Sequence, residues 1–434
     1  MGLGAQPARP HPAMTALFLP LPVTNGECAR HGTWWAIRPT RFLSPALRTV
    51  VSTVFDSEAA VQTTTLDPAR RWASTMRAHL HGDMALAHRG SRPAGPAVAR
   101  GRVEREAAEV DGLAAGATVA QGAGRRAVAE EPDELRTCFE RDRDRILHSP
   151  AFRRLAGKTQ VFIFPADHQR TRLTHALEVA QVATAIARAC RLNVALTEAI
   201  ALAHDCGHGP GGHASEEALG PYVPGGFDHA TWGADVVLAP LNLCAETLDG
   251  VRNHSWSRPA PATPEGEVVA WADRIAYVCH DFEDAVAAGL VTPAELPAGV
   301  RRHCGERRSQ QLRAFLDAVI STTAAHGRVA MDPDTAEVLA AFRQFNHDRI
   351  YLRPASREQA RRVVSMLRAL VEHLATTPAS IGPEAAALDP GSGAALSAAV
   401  THVAGMTDRY ACNLAVRALH WPVDALPRGV DLFG

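Results

Sequence analysis

From Asp133 to the end of the chain, apolar residues recur at spacings of three and four among Ala, Leu, Glu and Arg, the period of helices that bury one face. No convincing run alternates apolar and polar residues as a half-buried strand does. One helix is predicted over 171–191 (TRLTHALEVAQVATAIARACR), with Leu173, Leu177, Ala180, Ile186 and Ala187 on its apolar face. A second is predicted over 197–206 (TEAIALAHDC), stopped by Gly207 and Gly209. A third is delimited at its start by Thr263 as N-cap, Pro264 at the first helical position and Glu265 in the first turn, and at its end by Gly289. Its apolar positions are Val268, Trp271, Ile275, Val278, Phe282 and Val286. The pattern weakens over 296–308 and 378–393, where Pro and Gly mark connections, and no repeat period is present.

The chain before residue 131 has a different texture. It is Pro-rich at the start, carries short apolar runs such as Leu47 to Phe55, and continues as an Ala/Gly/Arg-rich tract with little helical periodicity. Such a composition buries too little apolar surface to offset chain entropy. The expected organisation is a mostly disordered extension over 1–130, a helical core over 131–295 and a C-terminal helical region over 296–434 packed on that core.

Composition narrows the function classes. The 434 residues include 45 Lys+Arg and 46 Asp+Glu, a net charge of −1, which argues against the basic excess that drives non-specific binding to nucleic acid or anionic membranes. The apolar stretch Met14 to Val23 is broken by Pro20 and Pro22 and is about half of the ~20 residues a membrane helix needs. It also lacks the basic flank and cleavage site of a signal peptide. The eight cysteines form no C-x-x-C pair, so reduced thiols in a cytoplasmic protein are expected.

The polar residues within these helices carry the candidate chemistry. His204 and Asp205 stand together at the end of the second predicted helix, and His175 lies near the start of the first. On the third, Asp273, Tyr277 and Asp281 are four residues apart and share one face. Taken singly, each has a plain structural reading: a core or surface histidine, a helix terminus, a solvated acidic face. Taken together, two imidazoles and two carboxylates suit a borderline-to-hard divalent ion such as Mn, Fe(II), Co, Ni or Mg, with no thiolate signature of structural zinc. An octahedral ion with four protein ligands keeps positions open for water or a phosphate oxygen.

The segment HDCGHGPGGHASEE, preceded by RTRLTHALEVAQ and followed by WADRIAYVCHDFEDA, resembles the HD-domain metal-dependent phosphohydrolases, and more narrowly the bacterial dGTPase-like deoxynucleoside triphosphate triphosphohydrolases. RDRDRILHSPAFRRLAGKTQVF, LNLCAETLDGVRNHSW and MTDRYA add to the likeness, which spans roughly Asp133 to Pro422. The resemblance implies an all-α HD-domain helical bundle with its catalytic core over 131–295, and metal binding by His175, His204, Asp205 and Asp273. It implies catalytic roles for His213 and Glu216, with His229 as companion, where His213 serves as general acid or holds the attacking water and Glu216 orients it. It further implies phosphate contacts from Arg172 and Arg274, with Lys158 as a further candidate, and sugar contacts from Gln160, Tyr277 and Asp281. Two positions depart from the usual family pattern: Gly211 follows Pro210 where Phe is common, and Ala230 follows His229 where Asn is common.

The implied reaction is hydrolysis of a deoxynucleoside triphosphate, dGTP foremost, to deoxynucleoside and inorganic triphosphate, with Mn²⁺ or Mg²⁺ as cofactor ahead of Fe²⁺, Co²⁺ or Ni²⁺. A homo-oligomer is expected by analogy, with no membrane or nucleic-acid partner indicated. The alternatives are a phosphohydrolase of the same superfamily acting on a monophosphate, cyclic nucleotide or alarmone, and a nucleotide-binding regulator without turnover.

Overall fold

The computed structural model describes residues 69–70, 78–165 and 168–428. The apolar runs at Met14–Val23 and Leu47–Phe55 lie outside the described residues. The chain divides into two compact units, 1–99 and 100–434. In the first, β1 (His79–His81) and β2 (Met84–Leu86) pair as an antiparallel hairpin, and Gly82 supplies the positive φ of its two-residue turn.

The second unit is helical, as its periodicity predicts. Among the described residues its helices are α1 (Arg102–Gly112), α2 (Cys138–His148), α3 (Pro150–Arg154), α4 (Arg172–Ala189), α5 (Val194–Ala203), α6 (Ala214–Leu219), α7 (His229–Trp232) and α8 (Ala245–Asn253). They continue as α9 (Pro264–Ala287), α10 (Ala298–Cys304), α11 (Arg308–His326), α12 (Pro333–Asn346), α13 (Pro354–Thr376), α14 (Gly393–Ala404) and α15 (Asp408–Leu419). None is long and apolar enough to cross a membrane.

The unit begins about thirty residues earlier than the composition suggested, because the 101–130 segment is held by polar contacts instead of an apolar stripe. Arg126 pairs with Asp142 of α2 at 2.7 Å, with both side chains nearly buried, and donates to the Cys138 carbonyl. The Thr118 amide and hydroxyl donate to Glu265, which also accepts from the Asn193 amide and so ties this segment to the starts of α5 and α9. Glu265 thus serves as a buried acceptor, beyond the helix-start role that its position suggested.

α4, α5 and α9 pack against one another, joined by α2 and α8. Their buried contacts are unusually small: Ala176, Ala183, Ala199, Ala201, Ala203, Ala272 and Ala276 are fully buried. Small side chains at helix contacts shorten the interaxial distance, and close helices let short polar side chains meet. A second apolar cluster joins α6 to α13, α14 and α15 through Leu219, Val363, Leu367, Leu370, Val400 and Ala411.

Candidate functional site

α4 starts immediately before the site. Thr171 is its extended N-cap residue, so His175 projects from the first turn. α5 begins at Val194 under an Asn193 cap, three residues earlier than the apolar pattern suggested, and closes at Ala203. His204 and Asp205 therefore stand at the helix cap and in the following turn. Asp273 meets them from the middle of α9.

The four expected ligands converge. His175 Nε2 lies 3.0 Å from Asp273 Oδ1, and His204 Nε2 lies 3.6 Å from Asp205 Oδ2 and 3.7 Å from Asp273 Oδ1. His204 Nδ1 donates to the Ala201 carbonyl at 2.7 Å, which leaves Nε2 as the lone-pair nitrogen, fully buried and without a hydrogen-bond partner. A second-sphere carbonyl that fixes the tautomer while the other nitrogen stays free is the usual setting of a metal-bound imidazole. The donor set fits a divalent ion.

The local charges reinforce one another. Burial opposes ionisation of Asp205, but Arg172, together with the imidazoles of His204 and His208, holds its carboxyl well below the usual range. Burial also opposes ionisation of Asp273, and His175 with His204 outweighs it. Burial acts against protonation of His175, whereas the two carboxylates act for it.

Beside this quartet lies a set of imidazoles. His213 Nδ1 is 3.2 Å from Glu216 Oε2, and the His229 Nδ1 faces the other oxygen of the same carboxylate, which also accepts the His229 amide. Burial would raise the Glu216 carboxyl, but its hydrogen bonds to His213 and His229 hold it far down, so it is ionised. His213 is largely exposed, open to a ligand. His208 stacks on His229 with ring centroids 3.7 Å apart. His254, from the end of α8, faces His229 Nε2 at 3.3 Å, and burial followed by the neighbouring His204 and His229 lowers it to about 4. Sequence reasoning gave His208 and His254 no role, although both stand inside the recognised segments.

The residues expected at phosphate and sugar divide. Arg172 is fully buried and ion-paired with Asp205, with Nε unpartnered. Lys158 is turned away from any ligand: its buried ammonium donates to the carbonyls of His208 and Ala404, and burial followed by the nearby Arg154 charge lowers it to about 7. Arg274 stacks on Trp256 at 3.6 Å. Gln160 carries a buried Oε1 with no partner. Tyr277 accepts from Arg343 Nε at 2.7 Å, and Asp281 accepts from the Tyr351 hydroxyl at 2.6 Å. Arg343 and Tyr351 lie about seventy residues downstream, on α12 and the wide π-turn His347–Tyr351 that follows it. Nothing local in the sequence marked them.

The loop between the ligands and His213 explains its glycines. Gly211 and Gly212 have φ of +75° and +62°. A Cβ on Gly211 would lie 2.6 Å from Val363, and one on Gly212 would lie 2.9 Å from Arg172 Nη2 and 3.0 Å from the Thr159 carbonyl oxygen. The departure from Phe at position 211 thus fits a backbone that only glycine adopts readily.

Comparisons with known proteins agree with this geometry. The HD domain model matches residues 172–278 and the phosphohydrolase-associated domain model matches 329–417. A deoxyguanosinetriphosphate triphosphohydrolase-like protein of Caldanaerobacter subterraneus subsp. tengcongensis is 40% identical over 304 residues, covering 66% of this chain and 86% of the relative. Proteins of the same description from Clostridium perfringens and Deinococcus radiodurans are 41% and 36% identical, covering 56% and 66% of this chain and 76% and 91% of theirs. A crystal structure of a hypothetical protein from Aquifex aeolicus aligns with TM-score 0.42 at 17% identity over 65% of this chain and 69% of that one, a likeness too low to carry argument. The chain belongs to the HD-domain family of deoxyguanosinetriphosphate triphosphohydrolase-like proteins.

Proposed function

We propose that this chain hydrolyses a deoxynucleoside triphosphate, dGTP foremost, to the deoxynucleoside and intact inorganic triphosphate. The observation that carries the reading is the convergence of His175, His204, Asp205 and Asp273 beside the His213–Glu216 pair, with Arg274, Tyr277 and Asp281 ranged along one face of α9. The names of the relatives support the substrate class.

A divalent ion held by the quartet, Mn²⁺ or Mg²⁺ first, would supply Lewis acidity toward a phosphoryl oxygen. The protein's own groups do the rest. Attack of water at the α-phosphorus forms a new P–O bond and breaks the bond to the 5′-oxygen, which needs a proton as it leaves. His213 supplies or steers that proton at its exposed Nε2, while ionised Glu216 fixes Nδ1–H and the ring's orientation. Arg172 holds Asp205 ionised, and Arg274 presents a guanidinium toward the polyphosphate. Tyr277 and Asp281, backed by Arg343 and Tyr351, offer hydroxyl and carboxyl groups to a deoxyribose, and Gln160 adds an unpartnered amide oxygen.

The test is incubation of the purified chain with each dNTP and Mn²⁺ or Mg²⁺, with products resolved by anion exchange beside Asp205→Ala and His204→Ala controls. Deoxynucleoside and triphosphate, absent in both controls, are expected. Release of single phosphates or pyrophosphate would replace this reading with a phosphohydrolase of other specificity, and binding without turnover would leave a regulator.

A further inference from the structure

The starts of α2 and α8 each place a cysteine against the same turn of the 101–130 segment. Cys138 is the first residue of α2, and Cys244 is the N-cap residue of α8. Both are free thiols; Cys138 is half-buried and Cys244 is fully buried. Gly124, held at a φ of +79°, lies beside them. A Cβ there would be 2.6 Å from Cys138 Sγ and 3.5 Å from Cys244 Sγ, so the two sulfurs flank one small volume that a glycine leaves free. Cys244 Sγ also lies 3.8 Å from the Cys138 carbonyl oxygen.

The backbone around the pair is pinned on every side. Arg126 donates to the Cys138 carbonyl, and Asp142 of α2 accepts the Cys244 amide at 2.8 Å. The Ala245 amide donates to the Arg125 carbonyl at 2.8 Å, and the Gly124 amide donates to Glu246 at 3.2 Å. Two groups fixed at such range react with each other without further loss of chain freedom. A hydrogen bond to the Cys138 thiol, then burial and the Asp142 carboxylate, push the Cys244 thiol far above its usual range, with Arg126 acting the other way. Cys244 therefore waits as S–H, and an oxidant from solvent meets Cys138 first. Cys279 and Cys304 are also neighbours, but both are buried and neither is open to an oxidant.

We propose that Cys138 and Cys244 are a site of reversible disulfide formation, with Cys138 as the peroxide-reactive thiol and Cys244 as its resolving partner. In the first step Cys138 Sγ attacks a hydroperoxide: an S–O bond forms, the O–O bond breaks, the thiol proton leaves with the departing oxygen, and a sulfenic acid remains. That step removes the Cys138 thiol that raises Cys244. In the second step Cys244 Sγ forms the S–S bond, the S–O bond breaks, and the Cys244 proton leaves with the hydroxyl as water. The sulfurs together lose the electron pair that the peroxide gains. A small thiol reverses the reaction by exchange at the half-buried Cys138 sulfur. The link closes a loop of about a hundred residues, a length at which a cross-link removes substantial entropy from the unfolded chain. That loop carries His175, His204, Asp205, His213 and His229.

The experiment uses the full chain, reduced, freed of reductant and treated with excess hydrogen peroxide. Remaining thiols are alkylated, the chain is digested without reduction, and the peptides are identified by mass spectrometry beside a thermal unfolding scan. A peptide linking Cys138 to Cys244 is expected, released by dithiothreitol, with the unfolding midpoint raised by about 3–7 °C in the oxidised chain and restored on reduction. Cys138→Ser should form neither the linked peptide nor the shift. In Cys244→Ala the Cys138 sulfenic acid should persist and be trapped by dimedone; far-ultraviolet dichroism checks that each variant is folded, and Cys244→Val serves if the alanine variant is not. Cys138 left as a thiol, carried on to sulfinic acid, or linked to another cysteine in the wild-type chain would overturn the proposal. A midpoint shift that persists in Cys138→Ser would overturn it as well. Neither readout involves turnover, so the result stands apart from the substrate assignment.

Discussion

At the scale of the residue, the site is governed by what each buried polar atom is forced to partner. Asp281 is a case where burial dominates: it is pushed up to about 7, although the Tyr351 hydroxyl donates to it. Its folded value exceeds the ~3.9 of an unfolded Asp, so the native state binds the extra proton between about pH 4 and 7. The contribution to stability is fully present below pH 4 and is lost as the pH rises through 7. Asp281→Asn should therefore flatten the fall in the urea midpoint between pH 5 and 7.5 relative to wild type, and an unchanged slope would refute the assignment. The convergence of His175, His204, Asp205 and Asp273 was foreshadowed in the sequence because they sit in locally ordered motifs whose helical phase is readable. The Ala201 carbonyl that takes the His204 Nδ1 hydrogen is a local contact three residues back, whereas Arg172, which holds Asp205 ionised, reaches it through tertiary packing, which no spacing rule reports.

At the scale of the element, glycine decides how closely the ends of α5 and α7 approach. A Cβ on Gly207 would meet the His229 carbonyl oxygen at 1.9 Å and the Gly233 nitrogen at 2.4 Å, both backbone atoms that cannot swing aside. Gly207→Ala must separate the turn carrying His204 and Asp205 from the helix carrying His229. A loss above about 3 kcal/mol, with weakened manganese binding, is expected in denaturant titration. Gly212→Ala is a milder change, since its contacts are the end of the Arg172 side chain at 2.9 Å and the Thr159 carbonyl oxygen at 3.0 Å, far looser than those at Gly207, and a φ of +62° costs about 1–2 kcal/mol. It should lower kcat more than tenfold while shifting the unfolding midpoint only modestly, because displacing Arg172 disturbs Asp205. The sequence marked Gly207 only as a helix stop. Its second task, letting two backbones touch, is invisible until α7 is placed.

At the scale of the whole helical unit, distant segments hold the site. The 101–130 segment, read from composition as outside the fold, is anchored by the buried Arg126–Asp142 pair. Arg126→Ala would strand Asp142, whose remaining partners are the Cys244 amide and the Thr247 hydroxyl, and should cost about 3–5 kcal/mol in global stability. That reading failed because an ion pair leaves no period in the sequence. At the other end, Asp408 at the start of α15 accepts from the Thr159 amide with Oδ2 and from the Gly211 amide, in the loop before His213, with Oδ1. One carboxylate thus joins the C-terminal helices to the strip that bears Lys158 and Gln160 and to the loop that aims His213. Asp408→Asn replaces one acceptor oxygen with a donor facing a donor, so one of these two bonds must break. The expected result is a loss of about 1–3 kcal/mol of stability with kcat down by more than tenfold and the manganese count unchanged, since no metal-ligand candidate touches Asp408. A fall in bound manganese matching the fall in kcat would instead mean that the C-terminal region supports the ligands themselves, and the loop would lose its separate role in positioning His213.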